Sequence, residues 1–267
     1  MQIATWNVNS VRSRLEQVTE WLQNHPVDVL CLQETKVVND DFPRSPFEDI
    51  GYTPYISGQK SYNGVALISR SPLTDVSTGF AGVLGDKDIG DLDEQKRVIT
   101  GMLDGVRIVN LYVPNGSSVG SDKYDYKLRW LAKLQDYLKA LLADTQNVLV
   151  CGDFNIALED RDIYAPKKPN HIMASPTERE ALQRLLDLGL KDAFRKFTTE
   201  GDHFSWWDYR TGAFNRNRGW RIDHHYLSPP LYERAIACTI DTEPRKLPKP
   251  SDHTPVIVEM APPSAHE

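Results

Sequence analysis

The chain has 267 residues, of which 40% are hydrophobic and 25% are charged, and its formal net charge is −6. This composition predicts a globular protein with enough apolar residues for a sizeable core. It excludes a membrane span, because no apolar run approaches ~18 residues, and the run near Met1 is too short for a signal peptide. Taken alone, the negative charge argues against nucleic-acid binding.

The predicted strands are separated by glycine, asparagine and proline, which are typical of turns. They cover residues 2–8, 27–33, 64–69, 97–103, 106–113, 147–154, 221–228, 235–240 and 254–260. Many strands with few helices predict an α/β fold in which one sheet packs on another and the helices lie outside.

Three helices are predicted from the spacing of apolar residues. The first follows Ser10 or Ser13 and ends at His25-Pro26, and the second covers residues 122–142 with a stripe of leucines. The third begins with a capping box at Ser175 and Glu178 and closes at Gly189.

Three cysteines, Cys31, Cys151 and Cys238, lie in or beside apolar runs and lack C-x-x-C spacing. The pattern is typical of small buried side chains in a reducing compartment, so we expect a cytoplasmic protein and disfavour a zinc site.

Polar side chains able to hold a metal or a phosphate meet an apolar run five times. Four runs end at such residues, namely at Asn7, Gln33-Glu34, Tyr112 and Asp153-Asn155, whereas the fifth run begins after Asp252-His253. Strands that end at a site and strands that begin there run in opposite directions, so the sheets should be mixed. Because these residues extend from Asn7 to His253, we expect one domain over residues 1–260 and a disordered tail at 261–267.

The chemistry of these residues predicts a site for a hard cation and a phosphate ester. Asn7 and Glu34 offer the oxygen ligands that Mg²⁺ or Mn²⁺ prefers. Asp153 is able to orient or deprotonate a water while Asn155 donates to a phosphate oxygen, and Gly152 permits a close backbone approach.

Three further residues complete the predicted catalytic set. His253, when protonated, would stabilise charge on phosphorus, and Asp223 would orient its ring. Tyr112 offers one more donor to the phosphoryl group. Each residue also has a simpler interpretation when taken alone: a surface acid for Glu34, a turn former for Asn155, a cap for Asp252, a paired strand-start histidine for His253 and a core side chain for Tyr112.

Charge is distributed unevenly along the chain. Residues 86–94 carry five acids against Lys87, a local balance of −4. Residues 206–221 have a balance of +3 and interleave aromatic side chains with Arg210, Arg216, Arg218 and Arg221. A basic and aromatic ribbon of this kind is compatible with DNA meeting one face of the protein. If Trp220 and Ile222 share one strand face, they and Trp206 would form a small apolar pocket.

The motifs, in this order, resemble those of the exonuclease III and apurinic/apyrimidinic endonuclease family, within the endonuclease/exonuclease/phosphatase superfamily. The matching segments are residues 6–12, 30–36, 112–116, 152–157, 206–210 and 251–253. Gly152–Asn155 and Ser251–His253 are shared across the superfamily, whereas the segments around Asn7, Glu34 and Trp206 are more specific to the DNA-repair branch.

The resemblance implies a four-layered sandwich of two packed mixed β-sheets flanked by helices, with the site at one end between the sheets. It places Asn7 and Glu34 near Mg²⁺ or Mn²⁺, makes Asp252 a further metal contact, and pairs His253 with Asp223. The loop after Asn115 lacks the arginine that some relatives insert into DNA, so Arg210 is the candidate for that role.

The resemblance implies a Mg²⁺-dependent enzyme, a monomer, that hydrolyses the phosphodiester 5′ to abasic sites in double-stranded DNA and trims 3′ ends as a 3′→5′ exonuclease and 3′-phosphatase. Two alternatives stay open: a phosphoesterase acting on phosphoinositide or sphingomyelin, and a DNA-binding relative that has lost catalysis. The residues do not rank incision against exonuclease, phosphatase or RNA-strand activity.

Overall fold

The computed structural model of the protein describes residues 1–86, 88–166 and 170–263. Its strands are β1 (Gln2–Asn7), β2 (Val29–Gln33), β3 (Thr53–Ser57), β4 (Val65–Ser69), β5 (Thr74–Thr78), β6 (Val98–Leu103), β7 (Val106–Tyr112), β8 (Val148–Asp153), β9 (Lys191–Asp192), β10 (Asp223–Leu227), β11 (Ala235–Ile240) and β12 (Val256–Met260). Its α-helices are α1 (Leu15–Asn24), α2 (Ser45–Glu48), α3 (Ala81–Leu84), α4 (Asp122–Asp144), α5 (Pro176–Leu186), α6 (Ala193–Phe197) and α7 (Pro229–Arg234).

The strands form two six-stranded sheets, and both are mixed as predicted. Sheet A has the order β11-β12-β1-β2-β4-β3, and sheet B has the order β5-β6-β7-β8-β10-β9. In sheet A, β1 runs parallel to β2 and antiparallel to β12. In sheet B, β7 runs parallel to β8, and β10 is antiparallel to β8. The ends of β1, β2, β7 and β8 and the starts of β10 and β12 thus supply the residues that the sequence groups together.

The three longest helices, α1, α4 and α5, cover the outer faces of the two sheets. α1 packs Val18 and Leu22 against sheet A, in a cluster that includes Leu30. α4 and α5 pack against sheet B through Leu134 and Leu182. Between the sheets lies a separate apolar cluster with members from both. The four-layered α/β sandwich is confirmed.

The predicted helices are present with small differences at their ends. Ser175 and Glu178 form the predicted capping box, which satisfies the first backbone N–H groups of α5. α1 begins only at Leu15, because residues 11–14 form turns and Arg14 has φ −119° and ψ +15°, which lie outside the helical range.

All nine predicted strands are found within two residues at each end, whereas β3, β5 and β9 were not predicted. β5 is largely exposed and β9 has only two residues, so neither carries a clear apolar alternation. In the described ranges no helix is long and apolar enough to cross a membrane. Cys31, Cys151 and Cys238 are buried free thiols, as predicted. Lys87 and residues 264–267 of the predicted tail lie outside the described residues.

Candidate active site

The predicted catalytic residues meet where the inner faces of the two sheets reach the same edge. Side chains alternate along a strand, so Asn7 follows the buried Ile3 on the inner face of β1, and Asp153 follows Leu149 on β8. Asp153 is opposite Tyr112 on one side and Asp223 on the other. Each strand therefore changes from apolar to polar at the point where the core ends.

His253 lies between two carboxylates and is buried with them. Its Nδ1 is 2.8 Å from Asp223 Oδ2, and its Nε2 is 3.5 Å from Asp153 Oδ2. Burial disfavours the imidazolium, but the charges of Asp223 and Asp153 outweigh this and raise the pKa of His253 to about 10. The predicted pairing of His253 with Asp223 is present, and the ring is held as a cation at neutral pH.

The protonation of Asp153 is set by its surroundings. Burial raises its pKa, His253 lowers it and the charge of Asp223 raises it, and together these effects bring it to about 7. Its carboxylate accepts hydrogen bonds from Asn7 Nδ2 at 2.9 Å and from the Asn155 backbone N–H at 2.9 Å. The carboxylate is thus fixed in place with a pKa near neutrality, as a general base requires.

Asn7 and Glu34 come together as predicted, but Asn7 is oriented differently. Its Nδ2 donates to both Glu34 Oε1 at 3.0 Å and Asp153 Oδ2 at 2.9 Å, and its Oδ1 accepts from the Asn9 backbone N–H. In this orientation Asn7 bridges two carboxylates as a donor, and a direct oxygen ligand role would require its amide to rotate. Lys36 Nζ lies 3.0 Å from Glu34 Oε2.

Two site residues have backbone conformations that side chains rarely adopt. Strand alternation would point Glu34 away from Gln33's face, but a φ of +51° turns its carboxylate back toward Asn7. Asn155 has a φ of +48°, so the extended chain that was predicted there ends before it. Its Nδ2 nevertheless lies 3.5 Å from Asp153 Oδ2 and donates to Val113 O at 2.9 Å. Such strain is common where function fixes the geometry.

The predicted close approach at Gly152 is also present. A Cβ at this position would lie 1.9 Å from the Leu111 carbonyl oxygen of the neighbouring strand, and φ is +144°. Only glycine fits, and this lets β8 carry Asp153 to the edge beside Tyr112.

Tyr112 is held as a protonated hydroxyl. Burial and the nearby charge of Glu34 raise its pKa well above the usual value, because both disfavour the phenolate. The guanidinium of Arg97 lies 4.6 Å from its ring centroid. Tyr112 is therefore available as a donor at the site edge, as predicted.

Asp252 contacts the aromatic side of the site. Its Oδ2 accepts from Trp206 Nε1 at 2.9 Å, and its Oδ1 lies 3.4 Å from Asn9 Nδ2. Asn9 links it to the Glu34 group, because Asn9 also accepts a hydrogen bond from Lys36.

Trp206, Trp220 and Ile222 form one apolar cluster beside the catalytic residues. Trp206 and Trp220 pair through their backbones and contact edge to face, with centroids 6.5 Å apart. Met173 and Ile163 belong to the same cluster. Ile222 is 1% exposed, whereas the two tryptophans, called the aromatic wall below, are partly exposed.

The basic ribbon divides into an exposed part and a buried part. Arg210, Arg216 and Arg218 are exposed. Arg221 is 1% exposed, and its guanidinium pairs with Asp162 and Asp192, each at 2.7 Å. The prediction that Arg221 belongs to a DNA-facing surface is wrong, because its charge is already neutralised inside the protein.

A buried ion pair supports the site and was not predicted. Lys127 Nζ donates to Glu178 at 2.5 Å and to the carbonyl oxygens of Asn115 and Asn155 at 3.1 and 2.8 Å. Glu178 also accepts from the Met173 backbone N–H, so the pair joins the Asn155 turn to the apolar cluster. The sequence does contain a signal: Lys127 lies at helical spacing within the buried stripe of α4.

Two further contributions to the site were also missed. Ser251 Oγ donates to Asn7 O at 2.6 Å and accepts from His253 N, which fixes the His253 segment against β1. A groove of about 690 Å³ adjoins Tyr112, and Tyr62, Arg97 and Lys123 are among the residues that line it. These lining residues are distant in sequence, and no local pattern indicates their meeting.

The site and the fold have counterparts among known proteins. The sequence profile of the Endonuclease/Exonuclease/phosphatase family matches residues 4–253. The exodeoxyribonuclease III of Haemophilus influenzae is 35% identical to this chain and aligns with 97% of it and 100% of its own length.

Two solved structures are similar over nearly the whole chain. The 3′ phosphatase NExo from Neisseria, bound to product DNA hairpin, has a TM-score of 0.92 and 41% identity, covering 98% of this chain and 99% of that one. An AP endonuclease from Archaeoglobus fulgidus has a TM-score of 0.90 and 40% identity, covering 98% and 100%. This chain belongs to the Endonuclease/Exonuclease/phosphatase family.

Proposed function

We propose that the protein is a DNA-repair nuclease that uses a divalent cation. It hydrolyses the backbone 5′ to abasic sites and removes nucleotides and phosphates from 3′ ends. The observation that carries the proposal is the buried Asp153–His253–Asp223 array beside Glu34 and next to an aromatic wall. The names of the similar proteins, an exodeoxyribonuclease III, a 3′ phosphatase and an AP endonuclease, support the same reaction class.

In the proposed reaction Asp153 takes a proton from the attacking water. With a pKa of about 7, a large fraction of Asp153 is ionised at neutral pH, and the ionised form is a stronger base than an ordinary carboxylate. His253, 3.5 Å away and cationic, stabilises the negative charge that develops on the phosphoryl oxygens. Asp223 holds the ring through Nδ1 and compensates its charge.

The phosphate is held by neutral donors. Asn155 directs its amide toward Asp153, and Tyr112 keeps its hydroxyl protonated. Donors fixed in a buried setting need little reorganisation when charge develops, which favours the transition state over the substrate.

The donor atoms fit a hard divalent cation. Glu34 and Asp153 place carboxylate oxygens on either side of the Asn7 amide, at 3.0 and 2.9 Å from its Nδ2. Oxygen donors of this kind suit Mg²⁺ or Mn²⁺. We assign Glu34 as the main holder, with Asn7 after rotation of its amide and Asp252 as a further contact. A cation held by these residues would supply positive charge that stabilises the developing negative charge of the reaction.

Asp153, Asp223 and His253 also have ligand atoms within 4.8 Å of one another, which is close enough for a metal. The imidazolium already fills the space between those two carboxylates, at 2.8 and 3.5 Å, and supplies the positive charge itself. A cation on the Glu34 side avoids displacing that proton.

Double-stranded DNA is the proposed partner. Exposed Arg210, Arg216 and Arg218 offer contacts to phosphates, and Arg210 is the proposed wedge. Trp206 and Trp220, above Ile222, form the proposed wall of a pocket for a baseless sugar. One chain carries the complete site, so we propose a monomer of a single domain, residues 1–260. The buried free cysteines favour the cytoplasm.

The test of this function is a gel assay on a duplex with one abasic analogue and on an undamaged blunt duplex. We expect incision of the first and 3′ trimming of the second with Mg²⁺, and neither with chelator. Asp153→Asn and His253→Asn should each lower the rate by about 10²–10⁴, because each removes a group that acts on a proton or on developing charge.

DNA affinity, measured by fluorescence anisotropy, serves as the control for these two variants and should stay near the wild-type value. A rate within tenfold of wild type for either variant would remove that residue from the mechanism.

Replacement of Glu34 tests the cation site. Glu34→Gln should raise the Mg²⁺ concentration for half-maximal rate by about tenfold or more, since a hard cation relies on few protein carboxylates. Glu180→Gln is the matched control, because Glu180 is exposed and paired with Arg184 on α5. An unchanged activation curve with only a lower plateau would argue against this role.

The exposed arginines should control the salt dependence of DNA binding. Each lost phosphate contact flattens the log–log slope of affinity against salt by about 0.9, so Arg216→Ala with Arg218→Ala should reduce it by about 1.8. Arg184→Ala, an exposed arginine on α5, should leave the slope unchanged. Equal slopes for the double variant and wild type would exclude both arginines from the contact set.

The aromatic wall should set the preference for abasic over intact nucleotides. Trp206→Ala enlarges the pocket, so the ratio of incision to exonuclease activity should fall by roughly tenfold, because excluding a base is what separates the two substrates. Trp206→Phe keeps an apolar ring but loses the N–H that Asp252 accepts, and it should retain most of the ratio. Equal loss of both activities in Trp206→Ala would make this residue a purely structural one.

A further inference from the structure

A layer of buried polar side chains lies between the two sheets, directly beneath the catalytic residues. Thr5 of β1, Gln33 of β2 and Asn110 of β7 are each 0% exposed. Gln33 Nε2 donates to Thr5 Oγ1 and to Asn110 Oδ1, both at 2.8 Å. The second of these hydrogen bonds crosses from sheet A to sheet B.

Asn110 makes two more contacts across the same gap. Its Nδ2 donates to the carbonyl oxygens of Leu32 and Ala66, each at 2.9 Å. Leu32 and Ala66 are opposite one another on β2 and β4. One side chain of sheet B is therefore fixed to two adjacent strands of sheet A as well as to Gln33.

The rest of the space between the sheets is filled mainly by apolar side chains. Its members include Ile3, Val29, Leu67, Ile108 and Leu149. Apolar packing holds the sheets together but has no preferred direction, whereas hydrogen bonds fix both distance and angle. The amides thus supply directional contacts between the sheets at this level.

Each member of the layer is close in sequence to a site residue. Gln33 immediately precedes Glu34, and Asn110 lies two residues before Tyr112 on the same strand face. Asn7 is the last residue of β1 and Glu34 follows β2, both strands of sheet A, whereas Tyr112 and Asp153 end β7 and β8 of sheet B. The proposed reaction needs both halves at once, and a misplacement of about 1 Å lowers a rate by about 10²-fold.

We infer that Gln33 and Asn110 are positioning residues whose inter-sheet amide contacts set the distance between the cation-holding half and the water-activating half of the site. The inference rests on the proposed nuclease function. It predicts that loss of these contacts lowers the rate of the chemical step and the affinity for the cation, while DNA binding persists, because Arg216, Arg218 and Trp206 lie on a separate segment.

The test compares Gln33→Met, Asn110→Leu and the double variant with wild type. Gln33→Met leaves Asn110 Oδ1 without its donor, and Asn110→Leu takes one acceptor from Gln33 Nε2, so each single replacement should lower the unfolding midpoint. The double replacement removes both groups and should regain part of that loss. Thr100→Val is the matched control, because its buried hydroxyl donates to Ile108 O within sheet B alone.

Four quantities are measured on intact protein: the thermal midpoint, Mn²⁺ affinity by titration calorimetry, DNA affinity in chelator, and kcat well below every midpoint. We expect the double variant to lose at least about tenfold in kcat and to bind Mn²⁺ more weakly, with DNA affinity within twofold of wild type. Thr100→Val should have the kcat and the Mn²⁺ affinity of wild type even if its thermal unfolding midpoint is lower.

The inference is overturned if kcat of the folded double variant is within twofold of wild type, or if kcat simply follows the midpoint across all four variants. An unchanged Mn²⁺ affinity in the double variant also overturns it. Absence of cleavage by wild type would instead refute the proposed function, so the two failures are distinguishable.

Discussion

The arrangement of the site depends on one buried cation, the imidazolium of His253 between Asp153 and Asp223. An ionised group taken out of water costs several kcal/mol unless partners compensate it, and here two carboxylates do so. The two carboxylates raise the pKa of His253, whereas burial and the charge of Asp223 raise the pKa of Asp153 against the opposing charge of His253. The proposed chemistry therefore depends on Asp153, His253 and Asp223 together, so the backbone segments that carry them must be held in fixed relative positions.

The fold fixes these segments through strand direction and a few hydrogen bonds. Asp223 begins β10 opposite the last residue of β8, so antiparallel pairing sets the spacing of two acids. His253 is held from the other sheet, through Ser251 on Asn7 O and Trp6 Nε1 on the His253 carbonyl. A site shared by two sheets needs their relative position to be exact. The proposed role of Gln33 and Asn110 explains why two amide side chains are buried in a largely apolar interior.

Most strands of the fold and most residues of the candidate site could be predicted from the sequence, because the patterns that indicate them are local. An apolar run predicts a strand, and a polar last residue such as Asn7, Tyr112 or Asp153 marks where that strand reaches the edge of the sheet. The alternation of side chains predicts which face of the sheet each residue lies on. The capping box of α5 is equally local. The orientation of the Asn7 amide is different, since it depends on Glu34 and Asp153 together, and Asp153 is 146 residues away.

The incorrect assignment of Arg221 has the same physical origin. Its charge and its aromatic neighbours resemble those of Arg216 and Arg218, but its partners Asp162 and Asp192 are 59 and 29 residues away. Nothing local distinguishes an arginine that meets solvent from one that anchors the segment internally. Arg221 is in fact the anchor of the ribbon, because it holds the backbone between Trp220 and Asp223 while the other arginines remain outside.

The acidic average of the chain does not conflict with DNA as the partner. At physiological ionic strength exposed charges are screened beyond about 8 Å, so a phosphate responds to the side chains near it and little to the net charge of −6. Part of the acidic run is also engaged within the protein: Asp91 pairs with Arg129, and Asp93 accepts the backbone N–H groups of Phe80 and Ala81. Net charge would govern the approach at long range, whereas the local field around the exposed arginines would govern the proposed binding. A protein of this composition should therefore have a lower association rate with DNA than a basic protein. Its dissociation rate should depend on the contacts made by the arginines and the aromatic wall.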